Sequence, residues 1–252
     1  MNLDFTPAPA AAPRRAQVWQ HAKMEAGLIL SNGEQLILAI VFPVAILVAG
    51  KVWGVRFGVD YQHLAPSVLG MVLWSSGLTT LAIATGFERR YNVLERLTAT
   101  PLGKDGILLG KALSIAMITL GQVAALGALG LLMGWRPAVA PGAWLVTMVT
   151  CVVGMAAFIA LGLAIAGSLR PETTLALANL LFLIGLPLGI VIPVTAFPGW
   201  AQPILTALPT AAVGESLRAG GTGTVLWLPL GVAAVWATAA AALARKVFRW
   251  TS

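Results

Sequence analysis

The side chains best suited to specific interaction chemistry are concentrated in one short segment, FERRYNVLERLTATPL at residues 87–102. It holds five charged residues in a chain of which only 10% is charged, and long apolar runs flank it on both sides. On a helix at 100° per residue, one face of the segment is apolar: Phe87, Tyr91, Leu94 and Thr98. The opposite face is polar and carries both signs of charge: Glu88, Arg89, Asn92, Glu95 and Arg96. We predict an amphipathic helix here.

Mixed charge on this predicted helix suits ion pairing with a protein partner, because an anionic lipid surface would favour uniformly basic residues. Pro101 ends the helix, since the residue before a proline is pushed out of the α region. The alternative interpretation is an ordinary loop whose charges are only solvated.

The sequence lacks the residue patterns that ATP binding, metal binding and disulfide formation require. The chain has no G-x-x-x-x-G-K-[ST] motif, so we expect it to bind no ATP in the P-loop manner and to act as no enzyme itself. His21 and His63 are isolated from spaced Cys or carboxylate partners, and we expect no metal site. The single cysteine, Cys151, lies in an apolar run and can form no intrachain disulfide. We assign no catalytic residue.

The elements that must position segment 87–102 are membrane helices. The chain has 252 residues, is 58% hydrophobic and has a mean hydropathy of +0.88. A span needs about 20 apolar residues and must close its backbone hydrogen bonds internally, so we predict an all-α integral membrane protein. The net charge of +7 lies in short connections without interleaved aromatic residues, which argues against a nucleic-acid partner.

Six apolar runs predict six spans, at about 36–53, 64–86, 107–133, 143–168, 174–194 and 224–244. With the N-terminus inside, twelve Lys and Arg residues lie on the cytoplasmic side and only four outside: Lys51, Arg56, Arg136 and Arg218. This asymmetry predicts a multi-pass protein of the plasma membrane with both termini in the cytoplasm. No ionisable residue lies near the centre of a predicted span, which disfavours a proton-coupled transporter.

The segments outside the spans complete the predicted domain organisation. Residues 1–13 are a flexible tail, and residues 14–252 form a single membrane domain. Residues 14–30 predict an amphipathic helix on the inner leaflet, with a plain extension of the first span as the alternative; Val18, Trp19, Ala22, Ala26 and Ile29 form its apolar face and His21 lies elsewhere. The Pro- and Gly-broken segment 197–221 predicts half-helices that re-enter the outer leaflet, with an ordinary outer loop as the alternative.

Two stretches of the sequence resemble a known family. The sequence ERRYNVLERLTATPL followed by KDGILLGKAL, together with FPGWAQPILTALPTAAVGESLRA, resembles the ABC exporter permeases of the type-two family, which includes drug and polysaccharide exporters. The resemblance implies a permease without its own ATPase, which moves a hydrophobic or amphipathic substrate outward. ATP and Mg²⁺ would bind to a separate cytoplasmic ATPase subunit, and a second permease, identical or related, would complete the complex within the lipid.

In this family the connection between the second and third spans is a coupling helix that docks on the ATPase. The resemblance and the charged face together assign the coupling helix to Glu88, Arg89, Asn92, Leu94, Glu95, Arg96, Leu97, Thr100 and Pro101. The chain departs from the family pattern at Arg90, where many members have an acidic residue, and at Asn92 and Val93, where many have Gly-Thr.

The second and fifth spans tend to line the substrate cavity in this family, between two permease subunits. The resemblance thus assigns a candidate cavity to Ser75, Ser76, Thr79, Thr80, Asn179 and Phe182. The polar side chains within the spans, Gln122 included, have a second interpretation as hydrogen-bonding groups between helices. A membrane scaffold derived from a permease and a secondary transporter remain the alternative functions.

Overall fold

The computed structural model describes residues 12–31 and 33–250, and within these the chain is all-α with no strand. Eleven α-helices follow one another in the described residues: α1 Arg14–Ser31, α2 Gly33–Trp53, α3 Tyr61–Trp74, α4 Leu81–Arg90, α5 Val93–Thr98, α6 Gly103–Leu132, α7 Pro141–Ser168, α8 Pro171–Gly185, α9 Gln202–Thr206, α10 Pro209–Thr222 and α11 Leu228–Val247. Shorter turns extend three of them. A π-helical turn, Ser75–Thr80, joins α3 to α4, another, Leu186–Ile190, continues α8, and the 3-10 turn Gly54–Phe57 follows α2.

Six helical segments of the described chain are long and apolar enough to cross a membrane, as the sequence predicts: Ala39–Phe57, Tyr61–Arg90, Gly103–Leu132, Pro141–Ser168, Pro171–Ile190 and Leu228–Val247. Asp60 caps the second of these, because its carboxylate accepts a hydrogen bond of 2.9 Å from the backbone N–H of Gln62. The prediction of an all-α integral membrane protein with six spans is confirmed.

The core of the bundle lies around the second span and α7. The Trp74 and Phe158 rings meet edge to face with their centroids 4.7 Å apart. A Cβ on Gly162 would come within 2.9 Å of the Leu78 carbonyl oxygen, so the backbone of α7 approaches the π-helical turn closely. The second span is therefore the most buried of the six, and polar side chains on its π-helical turn face protein.

The helix predicted before the first span is present as α1, which packs on α6. Its predicted apolar face is only partly right. Ala22 and Ala26 are buried, but Trp19 is 45% exposed, while His21 and Glu25 lie in the packed face. Helix α1 is thus held to α6 by charged as well as apolar contacts. Helix α1 ends at Ser31. The predicted tail lies largely outside the described residues.

The segment predicted as re-entrant forms two short helices, α9 and α10. Helix α10 is buried along most of its length against α3, α7 and the turn that ends α8. The alternative of an ordinary outer loop is therefore wrong for α10. Its predicted dip into the outer leaflet stays a prediction.

Candidate functional site

The segment between the second and third spans places a short helix, α5, at one end of the bundle. Leu94 is fully buried and packs with Leu102 and Ile107, so a single leucine anchors the helix to the start of α6. Glu95 and Arg96 project from the opposite side and are exposed. The fixed backbone thus presents one acidic and one basic side chain to the surroundings.

The continuous helix predicted over residues 87–100 is wrong. Helix α4 ends at Arg90, and Asn92 adopts the left-handed conformation with φ of 57°. Asparagine tolerates this conformation better than most residues, so the chain can turn there without a glycine. As a result, Tyr91 is 64% exposed while Leu94 is buried, and the two do not share the predicted apolar face.

Of the remaining predicted coupling residues, four stay with the α5 segment. Asn92, Thr100 and Pro101 are exposed. Leu97 is half-buried beside Leu94, and its carbonyl accepts a hydrogen bond of 2.6 Å from the Thr100 hydroxyl.

Glu88 does not lie on this exposed surface, contrary to the predicted charged face. It is partly buried and pairs with a group of buried charges. We call the group of His21, Glu25, Glu88 and Lys111 the Lys111 cluster. The Lys111 ammonium is 2.9 Å from a Glu25 carboxylate oxygen and also pairs with the Glu88 carboxylate. Lys111 is only 2% exposed. The cluster therefore ties α1, α4 and α6 together next to the α5 segment.

His21 lies at the edge of the Lys111 cluster, with its Nε2 3.6 Å from a Glu25 carboxylate oxygen. The expectation that both histidines are isolated from carboxylates is wrong, since His63 Nδ1 is also 2.8 Å from the Asp60 carboxylate. Burial is the main cause that lowers the pKa of His21; Glu25 opposes this and Lys111 adds to it. In the described residues no group of three or more His, Cys, Asp or Glu is placed to hold a metal ion.

Arg89 and Arg90 connect the segment to the chain between α7 and α8. Arg89 is buried and donates a hydrogen bond to the Leu169 carbonyl, and exposed Arg90 pairs with Glu172. Arg89 therefore also lies inside the protein and away from the predicted interface. The connection after the second span is therefore bonded to the connection between the fourth and fifth spans.

The chain after the sixth span completes this end of the bundle. Phe248 and Trp250 pack on the apolar cluster of Leu94, Leu102 and Ile107, with their ring centroids 4.8 Å apart. The Lys104 ammonium lies 5.6 Å from the centroid of the Trp250 ring. Helix α5 is thus packed between α6 and the segment that follows α11.

A second candidate site lies within the bundle, where a cavity of about 60 Å³ opens beside the π-helical turn of the second span. Of the six predicted cavity residues, Ser75, Ser76, Thr80 and Phe182 line it. Thr79 and Asn179 do not; Asn179 is exposed on α8. The cavity lies among α1, α2, the second span, α6 and α8. The predicted cavity between two subunits stays a prediction.

Among the lining residues that the predicted cavity set omitted, Gln122 has a polar side chain. Its side-chain oxygen accepts a hydrogen bond of 3.0 Å from the Ser76 hydroxyl, and its amide nitrogen is 3.4 Å from the Ala39 carbonyl oxygen. A glutamine in the middle of an apolar run was the available signal. For Lys111 the available signal was likewise a polar residue within an apolar run, since it follows GILLG and precedes ALSIAMI.

At the opposite end of the bundle, α8 is broken where Leu188 and Gly189 leave helical geometry, with φ of 97° at Gly189. The break frees three consecutive carbonyls. The Arg218 guanidinium donates to the Gly189 and Ile190 carbonyls at 2.6 Å each, and the Thr210 hydroxyl donates to the Leu188 carbonyl at 2.7 Å. We call this arrangement the Arg218 clamp.

The clamp also holds the chain that follows the break. Glu215 accepts a hydrogen bond of 2.9 Å from Arg218 and one of 2.8 Å from the Val194 amide. Arg218 lies in the connection between the fifth and sixth spans, as predicted, but it is only 6% exposed and is bonded inside the protein. The proline and glycine of LPLGI, which predict a kinked helix, were a signal that a donor must lie nearby.

Comparison with known families supports the sequence resemblance. A family model described as ABC-2 type transporter matches residues 16–220, which is well over half of the chain and includes α5, the cavity residues and the Arg218 clamp. No curated protein matches the chain.

Proposed function

Because the chain belongs to the ABC-2 type transporter family, as a multi-pass permease subunit, we propose that it forms the membrane path of an ATP-driven exporter. It moves a hydrophobic or amphipathic substrate out of the cytoplasm. ATP and Mg²⁺ bind to a separate ATPase subunit, and a second permease, identical or related, completes the complex in the plasma membrane. Residues 12 and 250 and the α5 segment lie on the cytoplasmic side.

The observation that carries this proposal is the shape of the α5 segment. An exposed tyrosine, Tyr91, and an exposed valine, Val93, stand next to the charged pair Glu95 and Arg96, on a helix that Leu94 holds rigidly. A loop that is only solvated needs neither a buried anchor nor exposed apolar side chains. An aromatic residue beside charges of both signs on a fixed backbone suits a protein interface.

The α5 segment is also placed to transmit movement. It packs on the start of α6 through Leu102 and Ile107, and the adjoining turn joins it to α4. The Lys111 cluster in turn links α4 and α6 to α1. Displacement of α5 by a bound ATPase would therefore move three elements together, which is what coupling of ATP hydrolysis to transport requires.

The test is purification of the tagged full chain from its native membrane, followed by identification of the ATPase that co-purifies. Reversal of both charges, Glu95→Arg with Arg96→Glu, should reduce the recovered ATPase strongly, since loss of charge pairs that become desolvated at an interface costs about 2–5 kcal/mol. Arg136→Glu, at an exposed arginine near the other end of α6, is the matched control. Equal ATPase recovery from both variants would refute docking at α5.

The proposed orientation has its own measurement. In a Cys151→Ser background, single cysteines at Asn92 and Thr222, both exposed, report the two ends of the bundle. In intact cells an impermeant thiol reagent should label only the cysteine at position 222. The reverse pattern would overturn the orientation and with it the cytoplasmic site of ATPase docking.

A further inference from the structure

A groove of about 500 Å³ lies between α2 and α6, with Ala26 and Leu30 of α1 at one end, and it adjoins the cavity beside the π-helical turn. Three residues line both spaces: Ala39, Ile118 and Gln122. Both helices belong to segments long enough to span the membrane, so the groove faces lipid. A molecule dissolved in the bilayer can therefore reach Gln122 without passing through water.

The two spaces differ in what they could hold. A drug-sized ligand needs a pocket of about 300–1,000 Å³. The cavity, at about 60 Å³, is too small for such a ligand and has room only for water or a small polar group. The groove, at about 500 Å³, can hold a long apolar chain. The natural arrangement for one ligand is an apolar body in the groove with its polar group at the boundary with the cavity.

Gln122 supplies the hydrogen-bonding chemistry at that boundary. A primary amide has two N–H donors and an oxygen that can accept two hydrogen bonds. Ser76 takes one acceptor position, and the Ala39 carbonyl is 3.4 Å from the amide nitrogen, so one donor and one acceptor position remain for a ligand. The π-helical turn that places Ser76 there is a distortion often found at functional sites.

The absence of charge among the described lining residues indicates the chemical class of the ligand. None of the described residues that line the groove or the cavity is charged. A charged ligand group at this depth would give up its water with no counter-charge, which is costly, whereas a hydroxyl or amide needs only a hydrogen-bonding partner. The site therefore favours an uncharged polar group.

We propose that the groove between α2 and α6 is a lateral binding site for an uncharged amphiphile from the membrane, and that Gln122 is its hydrogen-bonding residue. This proposal rests on the proposed permease function and gives it a substrate class. The site lies within one chain, so each permease subunit would carry its own.

The test uses the full chain in phosphatidylcholine nanodiscs and two photoactivatable probes with the same diazirine-bearing chain, hexadecanol and hexadecyl sulfate. The alcohol should label peptides of α2 and α6 around Ile118 and Gln122 more strongly than the sulfate does. Gln122→Leu should lower this labelling about fivefold, the effect of one lost hydrogen bond. Gln20→Leu, at an exposed glutamine of α1, is the matched control.

A second pair of variants keeps the test independent of the folding of the glutamine variant. Gly121 lines the groove and Gly127 does not, yet a Cβ at either would meet nothing within 4 Å. Gly121→Phe should fill the groove and remove the labelling, while Gly127→Phe on the same helix should leave it unchanged.

Three outcomes would overturn the proposal: equal labelling by the alcohol and the sulfate, unchanged labelling in Gly121→Phe, or labelling spread evenly over all six spans as by bulk lipid. The assay needs neither nucleotide nor ATPase. A failure of binding would therefore leave the ATP-driven function standing, and failure of an ATPase to co-purify would leave the binding site standing.

Discussion

The Lys111 cluster and the Arg218 clamp lie at opposite ends of the bundle, and each buries a cation against elements far apart in sequence. They differ in their partners. Lys111 is paired with two carboxylates, Glu25 and Glu88, which are side chains with rotatable bonds. Arg218 bonds chiefly to the backbone carbonyls that the break in α8 leaves free.

The comparison shows two uses of a buried charge. Because side-chain carboxylates can rotate away from their partner, we expect the Lys111 cluster to act as a joint in the proposed exporter. The carbonyls of a broken helix cannot find new partners in the chain, because the helix geometry that would supply them is absent at Gly189. The clamp is therefore a fixed brace that makes α10 and the end of α8 one unit. In the proposed exporter, movement is expected at the end with α5 and rigidity at the other.

The largest effect is expected for Lys111→Met, which leaves the buried Glu25 carboxylate and the partly buried Glu88 carboxylate without their cation. Removal of one partner from a buried ion pair costs about 3–5 kcal/mol. The thermal unfolding midpoint of the chain in nanodiscs should fall strongly, whereas Lys246→Met, at an exposed lysine of α11, should change it little. The triple variant with Glu25→Gln and Glu88→Gln should recover most of the loss. If the single variant is as stable as the parent, the cluster is not a joint between three helices.

A smaller effect is expected for Arg218→Gln, since the clamp loses charge-assisted bonds to two carbonyls but keeps the bond from Thr210. The glutamine amide can still donate to one of the two carbonyls, so we expect a cost of about 1–3 kcal/mol, that of one buried acceptor left unsatisfied. Hydrogen exchange should rise together in residues 186–194 and in α10, and Arg218→Lys should restore part of the protection. A rise confined to α10 would show that the two segments do not form one unit.

The smallest effect is a pH dependence confined to the Lys111 cluster. Because the pKa of His21 lies below its ordinary value of about 6.5, the unfolded chain takes up a proton there that the folded chain does not. Stability from this group is complete above about pH 6.5 and is lost as the pH falls toward the lowered pKa. His21→Gln should remove this component from the unfolding midpoint, and His63→Gln, at an exposed histidine, should leave it in place. If the pH dependence of the unfolding midpoint is unchanged in His21→Gln, His21 makes no such contribution to stability.

The six spans could be predicted from the sequence because the length and composition of apolar runs respond to the membrane alone. The predicted second span, 64–86, and the observed Tyr61–Arg90 differ by only a few residues at each end. The candidate cavity came instead from the family resemblance, and four of its six residues line one cavity, partly because Ser75, Ser76 and Thr80 lie on a single turn.

What could not be predicted depends on contacts between distant parts of the chain. Lys111 and Glu25 are 86 positions apart, and no periodic pattern connects them. The left-handed turn at Asn92 is permitted by its residue type but required only by the packing of Leu94, so a helical wheel drawn through residues 87–100 misplaced Tyr91 and Glu88. The sequence placed Arg218 in an outer connection but could not show its bonds to the Gly189 and Ile190 carbonyls, because those carbonyls are freed in another helix.

The packing of Phe248 and Trp250 on the α5 anchor sets an order of events during synthesis. The chain leaves the ribosome from its N-terminal end, so α5 is made long before the two aromatic residues that cover it. Until the sixth span is inserted, Leu94, Leu102 and Ile107 lack part of their apolar cover. The surface of α5 is therefore finished only when all six spans are in place. Recruitment of a partner to that surface would select fully made permeases over nascent ones.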